Sequence, residues 1–327
     1  MSVLSVDGTH LYGKYKGTLL VATSVDANFQ DGLCVISDRH AGIIVAMSDA
    51  NVGFHEPRAF HRFCVRHMAS NLRTHVKNNK MRDRFKAAAY QRQGKKIDED
   101  MRSIGQSCLQ SLQYIMDVSF PRWSLFHGAG RRYGICTTNF LETFNNVFKG
   151  ARFLPIMSLV ELTFHRVNKY FNIRRDSSFS RRADGYAYSP KVTSILEKNN
   201  GKAEYHTVDV YSRQRGIYQV KTHRGERIGS KGGHKHTVNF NLRTCTCKKP
   251  MIFHLPCSHV LAMCLKYSIS KEPWVDSFLR SEAYANTYVP QFWHIPCETT
   301  WRTYRGPKII PDESMVRGHG RPKSKRI

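Results

Sequence analysis

Residues 237–267 read TVNFNLRTCTCKKPMIFHLPCSHVLAMCLKY, and the fold of the C-terminal part turns on how this stretch is read. Cys245 and Cys247 follow a strand-like run, and Cys257 and His259 open a run with Val260, Leu261, Met263 and Leu265 at helical spacing. Three thiolates and one imidazole are a donor set that tetrahedral Zn2+ prefers. Two ligands at a strand end meet two at a helix start if the nine residues between them fold back. Pro256 suits the first turn of that helix, and the helix dipole favours thiolate over thiol there. With four protein ligands no position stays open for water, so the expected ion is structural and its binding free energy contributes to folding. The plainer reading is four unconnected residues in a cysteine-containing loop. His254 is the nearest rival to His259, and Cys264 also lies close by, but neither has paired spacing.

This C-x-C…C-x-H pattern, with strands before it and a helix after it, resembles the SWIM-type zinc finger. The resemblance implies a module that contacts DNA or protein partners.

Strands are expected upstream at 205–211 and 217–222, around a turn at Arg215-Gly216, and downstream at 237–242. The polar, basic run DSSFSRRAD at 176–184 reads as part of a linker. Beyond Ser270 periodicity fades. From Arg302 onward eight basic residues face two acidic ones, the composition of a basic, disordered tail. The expected organisation is 1–175, a linker at 176–204, a zinc module at 205–270 and a basic tail at 271–327.

Short strands are expected at 3–6, ending in an Asp7-Gly8 turn, and at 18–25 and 33–36. Helical spacing starts near His40 and returns over 63–76 and 101–116. Capping-box patterns at 139–142 and 158–161 predict two further helix starts; the second carries a stripe of Val160, Phe164, Val167 and Phe171. Asp7, Asp38 and Glu142 could converge as carboxylates of a two-metal site. Each also has a local reading: Asp7 in a turn, Asp38 capping the helix near His40, Glu142 completing a capping box with Asn139.

The sequences around these acids resemble the Mutator-like (MULE) transposases of plants: VDGTHLYGKYKG at Asp7, ISDRHAGI at Asp38, HRFCVRHMASNL with its Cys64-x-x-His67 pair, and TTNFLETFNNVFKGAR at Glu142. LPIMSLVELTF, the zinc module and the closing GRPKSKRI follow in the same order. The resemblance implies an α/β chain: a truncated RNase H-like mixed sheet with helices, plus a small zinc-binding α+β module. It further implies a D-D-E triad of Asp7, Asp38 and Glu142 using Mg2+ or Mn2+, and DNA strand cleavage and transfer if the site is active. Cys64 and His67 share one helix face, either as half a metal site or as a buried structural pair.

Only thirty residues separate Asp7 from Asp38, so about one strand and one helix of the family pattern are missing between Gln30 and Asp31. The resemblance places the family's DNA-binding region ahead of the first catalytic strand, so that region is not expected within residues 1–327. The rest can still fold: 18–25 pairs antiparallel with 3–6, while 33–36 pairs parallel on its other side. Six extended residues reach ~20 Å, enough to pass one strand. A DNA-associated protein without autonomous activity is therefore the expectation, with an active transposase as the alternative.

Composition agrees. The 327 residues are 41% hydrophobic, ample for a core, and 51 Lys and Arg outweigh 25 Asp and Glu to give +26. Such an excess favours a polyanionic partner, DNA first. No apolar run approaches the ~20 residues of a membrane span, and no signal peptide is visible. Nine cysteines without an export signal favour metal binding or burial over disulfides. In the tail, Arg321, Pro322, Lys323, Lys325 and Arg326 resemble an AT-hook core for the minor groove, or equally a nuclear localisation signal. The nucleus is the expected compartment.

Overall fold

A computed structural model describes residues 3–14, 17–24, 32–139, 150–223, 233–307 and 313–316. It is a mixed α/β structure with two four-stranded sheets.

The first sheet comprises β1 (Val3–Leu11), β2 (Gly17–Ser24), β3 (Leu33–Ser37) and β4 (Ala59–Phe63), in the order β2-β1-β3-β4. As expected, β2 runs antiparallel to β1, and β3 runs parallel on the other side of β1. Asp7-Gly8 is not a turn. Both residues continue β1, opposite Val21 and Leu20, because every second residue from Val3 to Thr9 is buried and the alternation runs straight through them. β4, not foreseen as a strand, pairs parallel with β3. β3 reads as one apolar run because both its faces are covered.

Helix α1 (Ala41–Ser48) follows β3. Its cap is the His40 ring, which accepts from the Gly42 N–H at 3.2 Å; Asp38 instead accepts from the His40 N–H at 2.9 Å, one step earlier than expected. Helices α2 (Val65–Val76), α3 (Asn79–Ala89), α4 (Gly94–Ser107), α5 (Leu109–Met116) and α6 (Phe120–Trp123) form a bundle beyond β4. The helix expected over 101–116 is two helices, broken at Cys108, whose extended backbone ends one and starts the next. Met68, Leu72, Phe85, Ile97, Ile104 and Trp123 pack in the core of this bundle.

The run read as a linker is helical. Helix α7 (Ile156–Ala183) passes through 176–183, and α8 (Pro190–Ala203) follows. DSSFSRRA contains neither Gly nor Pro to stop a helix, and its arginines are anchored: Arg181 donates to the Tyr188 carbonyl at 2.9 Å. Just upstream, Arg175 donates to the carbonyls of Tyr288 and Pro290, both at 2.7 Å. α7 starts after Pro155, so Ser158 lies inside it rather than capping it. Val160 is exposed, whereas Phe164 and Phe171 of the predicted stripe meet Phe292 edge-on. The stretch after Ser270 has structure too: two short 3-10 turns (Glu272–Trp274 and Ser277–Leu279) and then α11 (Ser281–Asn286), which packs on α7.

The second sheet is β5 (His206–Ser212), β6 (Ile217–Thr222), β7 (Lys235–Asn239) and β8 (Thr244–Cys245), antiparallel throughout. Two helices complete the module, α9 (Lys249–Phe253) and α10 (Ser258–Tyr267). Val208, Val220 and Val238 of the sheet pack on Val260, Leu261 and Met263 of α10. Helix α10 begins at Ser258, so Pro256 precedes its first turn instead of occupying it.

The two parts are joined through α9. Ile252 lies in the core of the helical bundle, and the Met251 carbonyl sits where a Cβ on Gly130 would fall, at 2.4 Å. Gly134, at φ +81°, likewise gives its Cβ space to the Phe253 ring. Only glycine meets both the close approach and the left-handed backbone at these positions.

Candidate metal centre

The ligand set is assembled by two short elements. Cys245 ends β8 opposite Val238 of β7, and Cys247 lies two residues on, within a turn closed by the Lys248 N–H donating to the Cys245 carbonyl at 2.8 Å. The chain passes through left-handed Lys248, makes α9 and leaves it through left-handed His254. It returns with Cys257 as N-cap of α10 and His259 in the first turn.

Cys245, Cys247, Cys257 and His259 are all buried, and their ligand atoms all lie within 4.8 Å of one another. The His259 Nδ1 is 3.6 Å from the Cys245 sulfur and 3.7 Å from that of Cys257. A tetrahedron with Zn–S ≈ 2.3 Å and Zn–N ≈ 2.1 Å requires S···N separations of about 3.6 Å, so the donors fit that ion. The thiols oppose one another. Hydrogen bonding from Cys245 and Cys257 drives the Cys247 pKa down; contact with Cys247 and then Cys257 drives Cys245 up; burial pushes Cys257 up to about 12. Three buried thiolates this close repel one another, so holding all three in the charged form requires a cation among them.

Around the ligands the charge is kept low. His236 stacks on His259 with ring centroids 3.9 Å apart, and burial, then His259, hold its pKa at about 4. The His206 ring also lies near, its centroid 5.4 Å from that of His259, bonded to the Ser258 hydroxyl at 3.1 Å and also shifted down by burial. Neither flanking histidine stood out in the sequence, because their approach depends on the β5–β6–β7 pairing. The rivals are accounted for. His254 faces away, its Nε2 3.2 Å from the Gly130 carbonyl and its Nδ1 3.4 Å from Asp276. The Cys264 thiol contacts the Ser270 carbonyl, and burial pushes it up to about 11.

The acidic residues are only partly assembled. Val6 pairs with Ser37, so Asp7, within β1, and Asp38, one residue past the end of β3, each follow one member of that pair. Asp7 is buried; its Oδ1 accepts from the Gly8 N–H at 2.9 Å. Glu142 lies outside the described residues, as do Arg321, Pro322, Lys323, Lys325 and Arg326. Among the described residues, the zinc-type cluster is the one group of three or more metal-ligating side chains.

Cys64 and His67 do more than pack. Cys64 is the N-cap of α2, and its sulfur accepts from the Thr138 N–H at 3.4 Å and hydroxyl at 3.5 Å. Burial raises this thiol, but His67 and Thr138 outweigh it and hold the pKa at about 7. His67 is shifted up chiefly by Cys64, with a contribution from the Asp7 carboxylate. The spacing signalled the pair; its nearness to Asp7 needed the packing of α2 on the sheet.

Among the described residues, no helix is long and apolar enough to cross a membrane. No curated protein and no solved structure matches the chain. The family model described as SWIM zinc finger matches residues 236–268, from the histidine that stacks on the ligand ring to the end of α10. The chain therefore carries a SWIM zinc finger at 236–268, and its buried Cys/His cluster supports a structural Zn2+.

Proposed function

We propose that this is a DNA-associated zinc protein of Mutator-like transposase descent, acting in the nucleus as a binder rather than as an autonomous transposase. One observation carries the reading: a SWIM finger with a complete Cys/His set, in a chain of charge +26. That excess of cations calls for a polyanion, and finger-borne contacts are commonly to DNA or protein. The basic tail with Arg321, Pro322 and Lys323 supports both DNA contact and nuclear entry.

The descent rests on the quoted motifs, and the sheet order is compatible with it: β1 and β3 are parallel neighbours paired at Val6 and Ser37, with Asp7 within β1 and Asp38 just past β3. The shortened interval between these strands favours the binder over the enzyme. In the enzymatic alternative, Asp7, Asp38 and Glu142 hold Mg2+ or Mn2+ for strand cleavage.

Two measurements test this. Full-length, zinc-loaded protein should bind DNA with an affinity that falls steeply with salt, since the contacts are to phosphate; an affinity independent of ionic strength sinks the DNA reading. A nicking assay with Mg2+ or Mn2+ should show no cleavage, in the unaltered chain or in Asp38→Asn. Cleavage abolished by Asp38→Asn would establish the enzyme instead.

A further inference from the structure

The SWIM module has two sides, and one is already occupied. The inner face of its sheet carries Val208, Val220 and Val238, sealed against α10, and α9 is held by the helical bundle. The outer face of the sheet is exposed at Thr207, Lys221, Lys235 and Thr237. There Thr207 pairs with Lys221, and Lys221 pairs with Lys235, so two lysines stand directly opposite one another on adjacent strands. Like charges in that arrangement repel, and a folded sheet keeps them at a cost in stability unless an anion lies across them.

The same end-to-end strip gains three more cations at its far end. The β5–β6 turn carries Arg213 and Arg215, and the β7–β8 turn carries Arg243, all exposed. The two turns are held side by side: the Phe240 N–H donates to the Gly216 carbonyl at 2.8 Å, and the Asn241 amide to the Gln214 carbonyl at 3.3 Å. None of these five cations forms one of the ion pairs found among the described residues. Asp209 is the one acid in β5, β6 and β7.

Between the lysines and the arginines lies an aromatic ring. A bulge between Val210 and Ser212 frees Tyr211 from the ladder, and its hydroxyl donates to Gln219 Oε1 at 3.4 Å, which lays the ring over the outer face. It is 67% exposed. A flat, basic sheet with an exposed ring suits a splayed strand: phosphates along the cations, a base stacked on the aromatic face. A duplex groove, by contrast, takes a helix or a protruding ribbon.

We infer that the outer face of the β5–β6–β7 sheet binds single-stranded DNA, with Lys221, Lys235, Arg213, Arg215 and Arg243 on phosphates and Tyr211 stacking on a base. This rests on the DNA reading above and assigns it a surface and a strand form.

The test uses full-length, zinc-loaded protein with oligothymidylate of about 15 nucleotides and a duplex of the same length. The single strand should bind more tightly than the duplex. Tyr211→Ala should weaken single-strand binding about tenfold. Lys221→Ala/Lys235→Ala should lower the slope of log K against log salt by about 1.4, two contacts at ~0.7 each. Zinc content and thermal stability should be retained in both variants, which shows that they fold. Tighter binding of the duplex, or variants with unaltered affinity and slope, would overturn this surface while leaving DNA binding intact. Failure of the unaltered chain to bind either DNA would instead remove the DNA reading itself.

Discussion

The zinc module and the N-terminal sheet solve the problem of placing reactive side chains in opposite ways. In the module, four ligands within fifteen residues are brought together by one hairpin end and one helix start. They are dry, mutually repelling as thiolates, and in need of a cation. In the N-terminal part, Asp7 and Asp38 follow the paired Val6 and Ser37, and the surroundings are apolar: Val3 and Ile36 pack in one buried cluster, Leu72 and Trp123 in a larger one. A module with a small core leans on its metal, whereas a larger apolar core does not. The two parts should therefore fail separately.

The largest effect that can break this comparison is metal removal. Chelation, or Cys257→Ala, should cost the module most of the roughly 10 kcal/mol of zinc-linked folding energy and unfold it. Amide exchange of β1 and β3 should stay protected meanwhile. Simultaneous loss of protection in both regions would show a single cooperative unit.

The reciprocal change is Trp123→Ala. This side chain is fully buried between Phe85 and Phe120, so its loss should cost about 3–5 kcal/mol. Zinc stoichiometry should stay at one per chain by elemental analysis.

Gly134→Ala sharpens the comparison at the contact itself. The new methyl would meet the Phe253 ring on a left-handed backbone, loosening α9 from the bundle at a cost of about 1–3 kcal/mol. Calorimetry should then resolve two transitions more widely separated than in the unaltered protein.

The last expected effect is a pH dependence of the N-terminal part. His61 is buried and bonded to the Ser37 hydroxyl at 2.8 Å; burial, then Arg122 and Arg62, hold its pKa at about 4. Its folded value lies below the unfolded value near 6.5, so the unfolded chain binds the extra proton first. The contribution is complete above pH 6.5 and is lost as pH falls toward 4. Chelator-resistant melting temperatures should decline over that window, and His61→Gln should flatten the decline.

Where the sequence was legible, the signal was local or rested on alternation. The Cys/His set and the flanking β6 could be read because spacing along the chain carries the information. The pairing of β1 with β2 and β3 could be reasoned from strand reach alone. Other features were misread for lack of partners. DSSFSRRA looked like a linker, since nothing in it announces that Arg175 and Arg181 will find carbonyls at Tyr288, Pro290 and Tyr188. Asp7-Gly8 looked like a turn, since a dipeptide preference is outweighed by the ladder to β2 that runs through both residues.

The sequence by itself determined the donor chemistry, the net positive charge and the strand–loop–helix order that brings Cys245, Cys247, Cys257 and His259 together. Tertiary structure decided what the loop between them does. Ile252 lies in the core of the helical bundle, while the Met251 carbonyl and the Phe253 ring occupy space left by Gly130 and Gly134, more than a hundred residues earlier in the chain. Packing between such distant segments leaves no periodicity to read: a contact of this kind is chosen by shape, after both surfaces have formed.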